Sequence, residues 1–258
     1  DMKLLKTNRR KFFASLFFVL FAVAFADAYW LEPNWLKVRK ISLTKEKPTH
    51  RFVHFTDLHH KGDKKYLEEV VREINKLSPD FVCMTGDIIE ESSFLTEALD
   101  ILSGIKSPIY GVPGNHDYWA KADFNEIAKA FAKTGGAWLV DGNAVTLDGK
   151  ITLHGAGKYP PKNLLPNPNT KNVMLLHYPE WVERLNSNKF DVILAGHTHG
   201  GQVRIPFYGP IVLPSGTGKY DLGLFQTEAG PFYVSSGVGW FVFNIRFRCR
   251  PEIVLFEI

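Results

Sequence analysis

Five short segments of the chain carry side chains suited to holding metal ions: Asp57-Leu58-His59, Gly86-Asp87, Gly114-Asn115-His116-Asp117, His177 and Gly196-His197-Thr198-His199-Gly200. They offer carboxylate and amide oxygens and imidazole nitrogens. This hard-to-borderline set suits Mn²⁺, Fe or Zn²⁺ rather than copper. Alternation along an extended chain would turn Asp57 and His59 to one side, and His197 and His199 likewise. Glycines at 86, 114, 196, 200 and 201 would let the backbone turn sharply beside the ions. A single Asp-x-His or Gly-Asp is common and says little. The five segments in order, each after a β-like run, are specific. His50, His54, His60 and His154 fall outside the pattern and read as satisfied surface or core histidines.

The elements that must position these segments alternate in type. Arg51 to Thr56 reads as a strand ending at Asp57, and Lys64 to Leu77 as a helix with Leu67, Val70, Val71, Ile74 and Leu77 at helical spacing. Phe81 to Thr85 is a buried strand, Ser93 to Leu102 a helix, Pro108 to Val112 a strand and Asp123 to Ala132 a helix. From Gly135 the chain becomes strand-rich: Ala137 to Leu147, Lys150 to His154, Val173 to Leu176, Val192 to Ala195 and Ile253 to Ile258. This order predicts an α/β fold with two packed mixed β-sheets flanked by helices in four αββα layers. The metal segments then sit at strand ends, where loops converge on one sheet edge.

The ordered set Asp57-x-His59, Gly86-Asp87, Gly114-Asn115-His116-Asp117, His177 and Gly196-His197-x-His199 resembles the calcineurin-like metallophosphoesterase superfamily, from about residue 50 to the end. Glu32-Pro33-x-Trp35, the run Gly196-His197-Thr198-His199-Gly200-Gly201-Gln202-Val203-Arg204 and Arg248-Cys249-Arg250-Pro251-Glu252 resemble a narrower bacterial branch with twin-arginine-type or anchored N-termini. That branch includes the chlamydial-type UDP-2,3-diacylglucosamine pyrophosphatase of lipid A synthesis. The resemblance implies that Asp57, His59 and His199 hold one divalent ion, that Asn115, His177 and His197 hold the other, and that Asp87 bridges them. It implies that His116 acts on the leaving oxygen or the phosphoryl charge without ligating. Asp117 is then either the carboxylate that orients the His116 ring or a cap for its own loop.

The expected chemistry is hydrolysis of a phosphodiester or pyrophosphate. Two ions about 3.5–4 Å apart clamp a phosphate oxygen and lower the pKa of water from about 16 toward about 7, so that a hydroxide is available at neutral pH. Mn²⁺ is the first expectation, with Fe or Zn²⁺ as alternatives.

The first 36 residues read as a separate appendage to a catalytic domain at 37–258. Lys3, Lys6, Arg9, Arg10 and Lys11 precede an apolar run from Phe12 to Ala26, and the stretch from Phe12 through Leu31 is 20 residues long, enough to cross a bilayer. Tyr29 and Trp30 fit an interfacial belt. The same residues also read as a twin-arginine export signal, Asn8-Arg9-Arg10-Lys11-Phe12-Phe13. Bacterial inner-membrane attachment by this segment is expected, with its side open. A net charge of +4 and no basic stripe with interleaved aromatics point away from nucleic acid. The expected partner is a phosphorylated small molecule or lipid. Leu164 and Leu165, in the loop 157–166, read as acyl contacts or loop anchors, and Lys61, Lys158 and Arg204 as phosphate contacts or solvated surface. Cys83 and Cys249 read as buried small hydrophobes.

Overall fold

The computed structural model describes residues 2–162, 164–185 and 188–258, with side chains from residue 8 onward. Asn163 of the 157–166 loop and the side chains of Lys3 and Lys6 lie outside the described residues. The chain opens with helix α1 (Met2–Ala26), followed by a π turn (Asp27–Leu31) and a 3₁₀ turn (Glu32–Asn34). There follow β1 (Lys37–Ser42), β2 (Arg51–Phe55), α2 (Lys64–Lys76), β3 (Phe81–Met84), α3 (Leu95–Leu102), β4 (Ile109–Gly111), α4 (Asn115–Trp119), α5 (Phe124–Lys133) and β5 (Ala137–Trp138). The second half contributes β6 (Gly142–Val145), β7 (Ile151–Gly155), β8 (Lys171–Leu175), β9 (Val192–Ala195), β10 (Arg204–Ile205), β11 (Gly209–Pro210), β12 (Gly223–Thr227), β13 (Gly230–Val234) and β14 (Glu252–Glu257).

Two six-stranded mixed sheets form, in the orders β1-β14-β2-β3-β4-β5 and β12-β13-β9-β8-β7-β6. Their inner faces meet in a dry core of Phe52, Phe81, Tyr110, Leu153, Val173, Leu194 and Phe256. The rings of Phe52, Phe81 and Phe256 stack there at 4.9 and 5.2 Å. The outer face of the first sheet is covered by α2, α3 and α5, whose apolar stripes (Leu67, Val70 and Ile74 on α2) face Val53, Phe55, Val82 and Met84. Asp63 and Asp123 accept the first free amides of α2 and α5 and so set where those helices begin. The outer face of the second sheet is covered by a 3₁₀ segment, Pro179–Arg184, through Trp181 and Val182, and by Leu185, Phe190 and Tyr220. The expected two sheets with flanking helices are therefore present, with this outer layer the thinner one.

One expectation needs correction. Ala137 to Leu147 is not one strand: β5 ends the first sheet, β6 begins the second, and buried Leu139 marks the crossing. In addition, β1 pairs in parallel with the C-terminal strand β14, Lys37 opposite Glu252. That pairing explains the outer motifs. Glu32 accepts the Cys249 amide at 3.0 Å, Arg250 donates to the Trp35 carbonyl at 2.9 Å, and its guanidinium lies 3.7 Å over the Trp35 ring. The two sequence ends clamp each other.

From Asn8 onward α1 is almost entirely exposed, and Asn8–Asn34 is the one helical stretch among the described residues long and apolar enough to cross a membrane. Cys83 and Cys249 are buried and free. The four histidines read as ordinary are each hydrogen-bonded: His50 to Asp148, His54 to Thr85, His60 to Glu97 and His154 to Asn172.

Candidate metal centre

Strands β2, β3 and β4 are mutually parallel, as are β8 and β9, so within each sheet their C-terminal ends lie on one edge. Asp57 follows β2, Asp87 follows β3, Asn115 follows β4, His177 follows β8 and His197 follows β9. All five segments converge there. The residues themselves are not in strands. Asp57, His59, Asp87, His197 and His199 have φ of 52°, 43°, 56°, 71° and 49°. Alternation along a strand is therefore not what aims them. Five non-glycine residues are held in the left-handed region, which costs energy that the surrounding structure must offset. Glycines act here through size as well as turning. A Cβ on Gly196 would lie 2.1 Å from Thr56 Oγ1 and 2.5 Å from Asp57 Oδ2, and one on Gly114 would lie 2.1 Å from Asp87 Oδ1.

Among the described residues three sets of donor atoms come together: the expected aspartate and histidine ligands fall in two of them, and the third is His59, Glu90 and His116. Asp57, His59 and His199 bring one donor atom each within 4.8 Å of one another, and Asp87, His177 and His197 do the same. Nε2 of His59 and Nε2 of His199 stand 3.1 Å apart. Asn115 Oδ1 lies 2.8 Å from His177 Nε2. Asp87 joins the groups, because its Oδ2 is 3.4 Å from His59 Nε2 and 3.3 Å from His177 Nε2.

The outward atoms of these side chains determine which atoms remain for an ion. His177 Nδ1 lies 2.7 Å from the Thr85 carbonyl, His197 Nε2 2.6 Å from the Ser215 carbonyl and His59 Nδ1 2.8 Å from Glu90 Oε2. An oxygen acceptor fixes the proton on the outer nitrogen and turns the lone pair inward, at Nε2 of His59 and His177 and at Nδ1 of His197. Asp87 Oδ1 accepts the His116 amide at 2.8 Å, so Oδ2 is the oxygen turned toward His59 and His177. Buried carboxylates, an amide oxygen and imidazole nitrogens converging with no lysine or arginine among them fit two divalent ions.

The electrostatics agree. Burial raises the Asp57 carboxyl to about 6 against the pull of His177. Burial works against the charge on Asp87 too, but His177, His59 and His116 hold it well below the usual carboxylate range. Burial also opposes a charged His177, yet Asp87 and Asp57 raise it to about 9. Burial and His177 lower His197 to about 4, and burial with His59 pushes His199 well down. A divalent ion held at this nitrogen would compete with the proton on His177.

His116 sits at the mouth, its ring 4.5 Å from His59, 4.7 Å from Trp119 and 5.0 Å from Phe241. Burial lowers its pKa. Asp117 does not orient this ring. Its carboxylate accepts the amides of Asp87 at 2.9 Å, Ile88 at 2.8 Å and Gly114 at 2.8 Å. The carboxylate at His116 is Glu90, 3.1 Å from Nδ1, and it also meets His59. No spacing in the sequence marks Glu90; only its place three residues after Asp87 brings it to both rings. Lys61 and Arg204 are not free for phosphate. Lys61 donates to the Trp240 carbonyl at 2.8 Å, and Arg204 to the Gly200 carbonyl and Asp221, both at 2.8 Å. Lys158, with Tyr118, Trp119 and Tyr178, lines a cleft of about 250 Å³ beside Asn115. Leu164 packs on the core of the second sheet, and Leu165 is exposed.

The family model of calcineurin-like phosphoesterases matches residues 50–201. The chain is similar to the metallophosphoesterase YkuE of Bacillus subtilis, at 28% identity over 98% of both chains. It is similar to the phosphodiesterase YaeI of Escherichia coli, at 24% identity over 97% of this chain and 99% of that one. It is also similar to the UDP-2,3-diacylglucosamine pyrophosphatase LpxG of Chlamydia trachomatis, at 28% identity over 87% of this chain and 90% of that one. Among solved structures, the protein TT1561 of Thermus thermophilus shares the fold, with a TM-score of 0.51 and 12% identity over 73% of this chain and 90% of that one. The chain belongs to the calcineurin-like phosphoesterases and is a metal-dependent phosphoester hydrolase.

Proposed function

We propose that the chain hydrolyses a phosphodiester or pyrophosphate bond in a lipid-linked substrate such as UDP-2,3-diacylglucosamine, releasing UMP and the acyl sugar phosphate. The observation that carries this reading is the junction of an apolar helix with the catalytic edge. Arg246 N donates to the Ala28 carbonyl at 3.0 Å, and the Arg246 guanidinium donates to the carbonyls of Ser236 and Cys249 at 2.9 and 2.8 Å. Cys249 Sγ in turn contacts the His199 carbonyl at 3.2 Å. The similarity to LpxG supports the same substrate class.

In this reading Asp57, His59 and His199 hold one divalent ion, Asn115, His177 and His197 the other, and Asp87 serves both. Mn²⁺ is the proposed metal, with Fe or Zn²⁺ as alternatives. When bound, the ions supply an activated water and neutralise charge on the phosphoryl oxygens. Glu90 holds the His59 and His116 rings in place. His116, which ligates nothing, faces the substrate side and delivers a proton to the leaving oxygen. Asp117 supports Asp87 through the backbone and takes no part in proton transfer. Residues 1–36 form the membrane attachment and 37–258 the catalytic domain.

Comparing hydrolysis of UDP-2,3-diacylglucosamine with bis-(4-nitrophenyl) phosphate tests the substrate. Much faster turnover of the lipid nucleotide supports the proposal, and turnover of the aryl diester alone contradicts it. The second outcome would favour an exported phosphodiesterase with another substrate, the reading to which Asn8-Arg9-Arg10-Lys11-Phe12-Phe13 also points.

A further inference from the structure

A group of exposed apolar side chains outside α1 lies on two loops beside the metal centre. Residues 205–214, Ile-Pro-Phe-Tyr-Gly-Pro-Ile-Val-Leu-Pro, contain no charge. They form the small hairpin of β10 and β11, with Phe207 fully exposed, Tyr208 at 77% and Val212 at 70%. The second loop presents Val242 at 59% and Phe243 at 68%. An isolated exposed apolar residue needs no explanation, but a contiguous patch this apolar marks an interaction surface.

The two loops are one structural unit. Gln202 Nε2 donates to the carbonyls of Phe243 and Ile245 at 3.1 and 3.3 Å, and its Oε1 accepts the Phe241 amide at 2.7 Å. The Arg204 amide donates to the Phe247 carbonyl at 3.0 Å. The same loop receives the end of the apolar helix, through Arg246 N to the Ala28 carbonyl at 3.0 Å and Cys249 N to Glu32 Oε2 at 3.0 Å. No slack linker separates helix from domain. A bilayer that holds the helix must therefore lie beside this patch. Tyr29, Trp30 and Leu31 are exposed at the end of that helix, side chains that suit the interfacial layer. At the other end the patch reaches the catalytic mouth, where Phe241 meets the rings of His116 and His59 at 5.0 and 6.0 Å.

We propose that the loops at 205–212 and 241–243 rest in the interfacial layer of the bilayer that holds α1, so that the metal centre opens onto the lipid surface. The proposal rests on the membrane attachment of α1 put forward above, and it adds a second contact that fixes the orientation of the domain. A phosphate ester carrying an acyl chain then reaches His116 along Phe241 without leaving the interface. A water-soluble ester has no such guidance.

The test uses the full chain in phosphatidylcholine–phosphatidylglycerol vesicles, with an environment-sensitive fluorophore on one introduced cysteine at a time. Phe207→Cys and Phe243→Cys report the loops, and Phe18→Cys reports the helix. Leu147→Cys, exposed in the turn before β7 at the opposite edge of the sheet, is the aqueous reference. Spin-labelled lipid should quench the two loop probes as shallow sites and the Phe18 probe as a deep one, leaving the Leu147 probe unquenched. Loop probes quenched no more than the Leu147 probe would overturn the proposal, whatever the Phe18 probe reports. Loop probes quenched while the Phe18 probe is not would keep the loop contact and remove the helix attachment. Loop probes shielded from quencher only as protein concentration rises would assign the patch to a second copy of the chain. Phe207→Ser with Phe243→Ser should slow hydrolysis of a vesicle-embedded lipid nucleotide about tenfold, in line with lost interfacial binding, and leave bis-(4-nitrophenyl) phosphate turnover unchanged. Equal loss on both substrates would also contradict the proposal.

Discussion

The Asp117 carboxylate accepts the backbone amide of Asp87 at 2.9 Å, so the acid beside His116 supports the bridging acid rather than the histidine. The same group also receives the amides of Ile88 and Gly114. Burial, with Asp87 adding to it, raises its pKa to about 7. Asp117→Ala strands three buried amides and should lower unfolding free energy by about 2–4 kcal/mol, with weaker metal retention because Asp87 loses its support. Denaturant unfolding and metal analysis check this. An unchanged midpoint with lost activity would restore Asp117 to a direct catalytic role.

Glu90 should behave differently, since it touches two rings and one edge of solvent. Glu90→Gln keeps an acceptor but loses the charge that fixes the His59 and His116 protons. We expect metal affinity and turnover to fall about 10- to 100-fold, the range for partners that orient a metal-ligating histidine, with little change in stability. Titration with Mn²⁺ alongside kcat reads both. Unaltered affinity and turnover would make the contacts at 2.8 and 3.1 Å incidental.

His116→Ala should retain both metals and lose roughly 100-fold or more in kcat, the scale of one general acid. Its ring contacts His59, Trp119 and Phe241, and the one donor group it joins, with His59 and Glu90, contains neither Asp57 nor Asp87. A fully metallated His116→Ala enzyme with normal kcat would remove the residue from the chemistry.

His54 gives a pH signature of the fold that is separate from the reaction. Its ring is fully buried, Nε2 bonds Thr85 Oγ1 at 2.8 Å and Nδ1 has no partner, so burial lowers its pKa to about 3. The unfolded chain protonates this histidine below 6.5, while the folded chain keeps it neutral until about 3. Stability should therefore fall as pH drops through that window, by up to about 1.4 kcal/mol per pH unit. His54→Gln should flatten this dependence in denaturant titrations across the window. Parallel curves for the two proteins would show that another group controls it.

The first half of the fold was legible because short continuous apolar strands alternate with helices of period 3.6 from Arg51 to Lys133. The convergence of the five segments was legible because each closes a parallel strand. Three features were not. The split between β5 and β6 leaves no mark, as both pieces are short and extended while the sheet change happens at Leu139. The pairing of Lys37 with Glu252 joins residues from opposite ends of the chain, which no local pattern encodes. The left-handed backbone at Asp57, His59, Asp87, His197 and His199 runs against residue preference and is imposed by tertiary contacts such as the paired Asp57 oxygens on the His197 amide at 2.9 Å. The ring-orienting duty expected of Asp117 falls to Glu90 for a related reason: Asp117 is held under its own loop by three amides, and the turn after Asp87 brings Glu90 to both rings.

The central claim is that Asp87 serves two ions at once, and metal content per chain in wild type and Asp87→Ala tests it most directly. The expected result is two divalent ions per wild-type chain, with both lost or severely weakened in the variant. Two ions retained by Asp87→Ala, or one ion at most in the wild type, would contradict it.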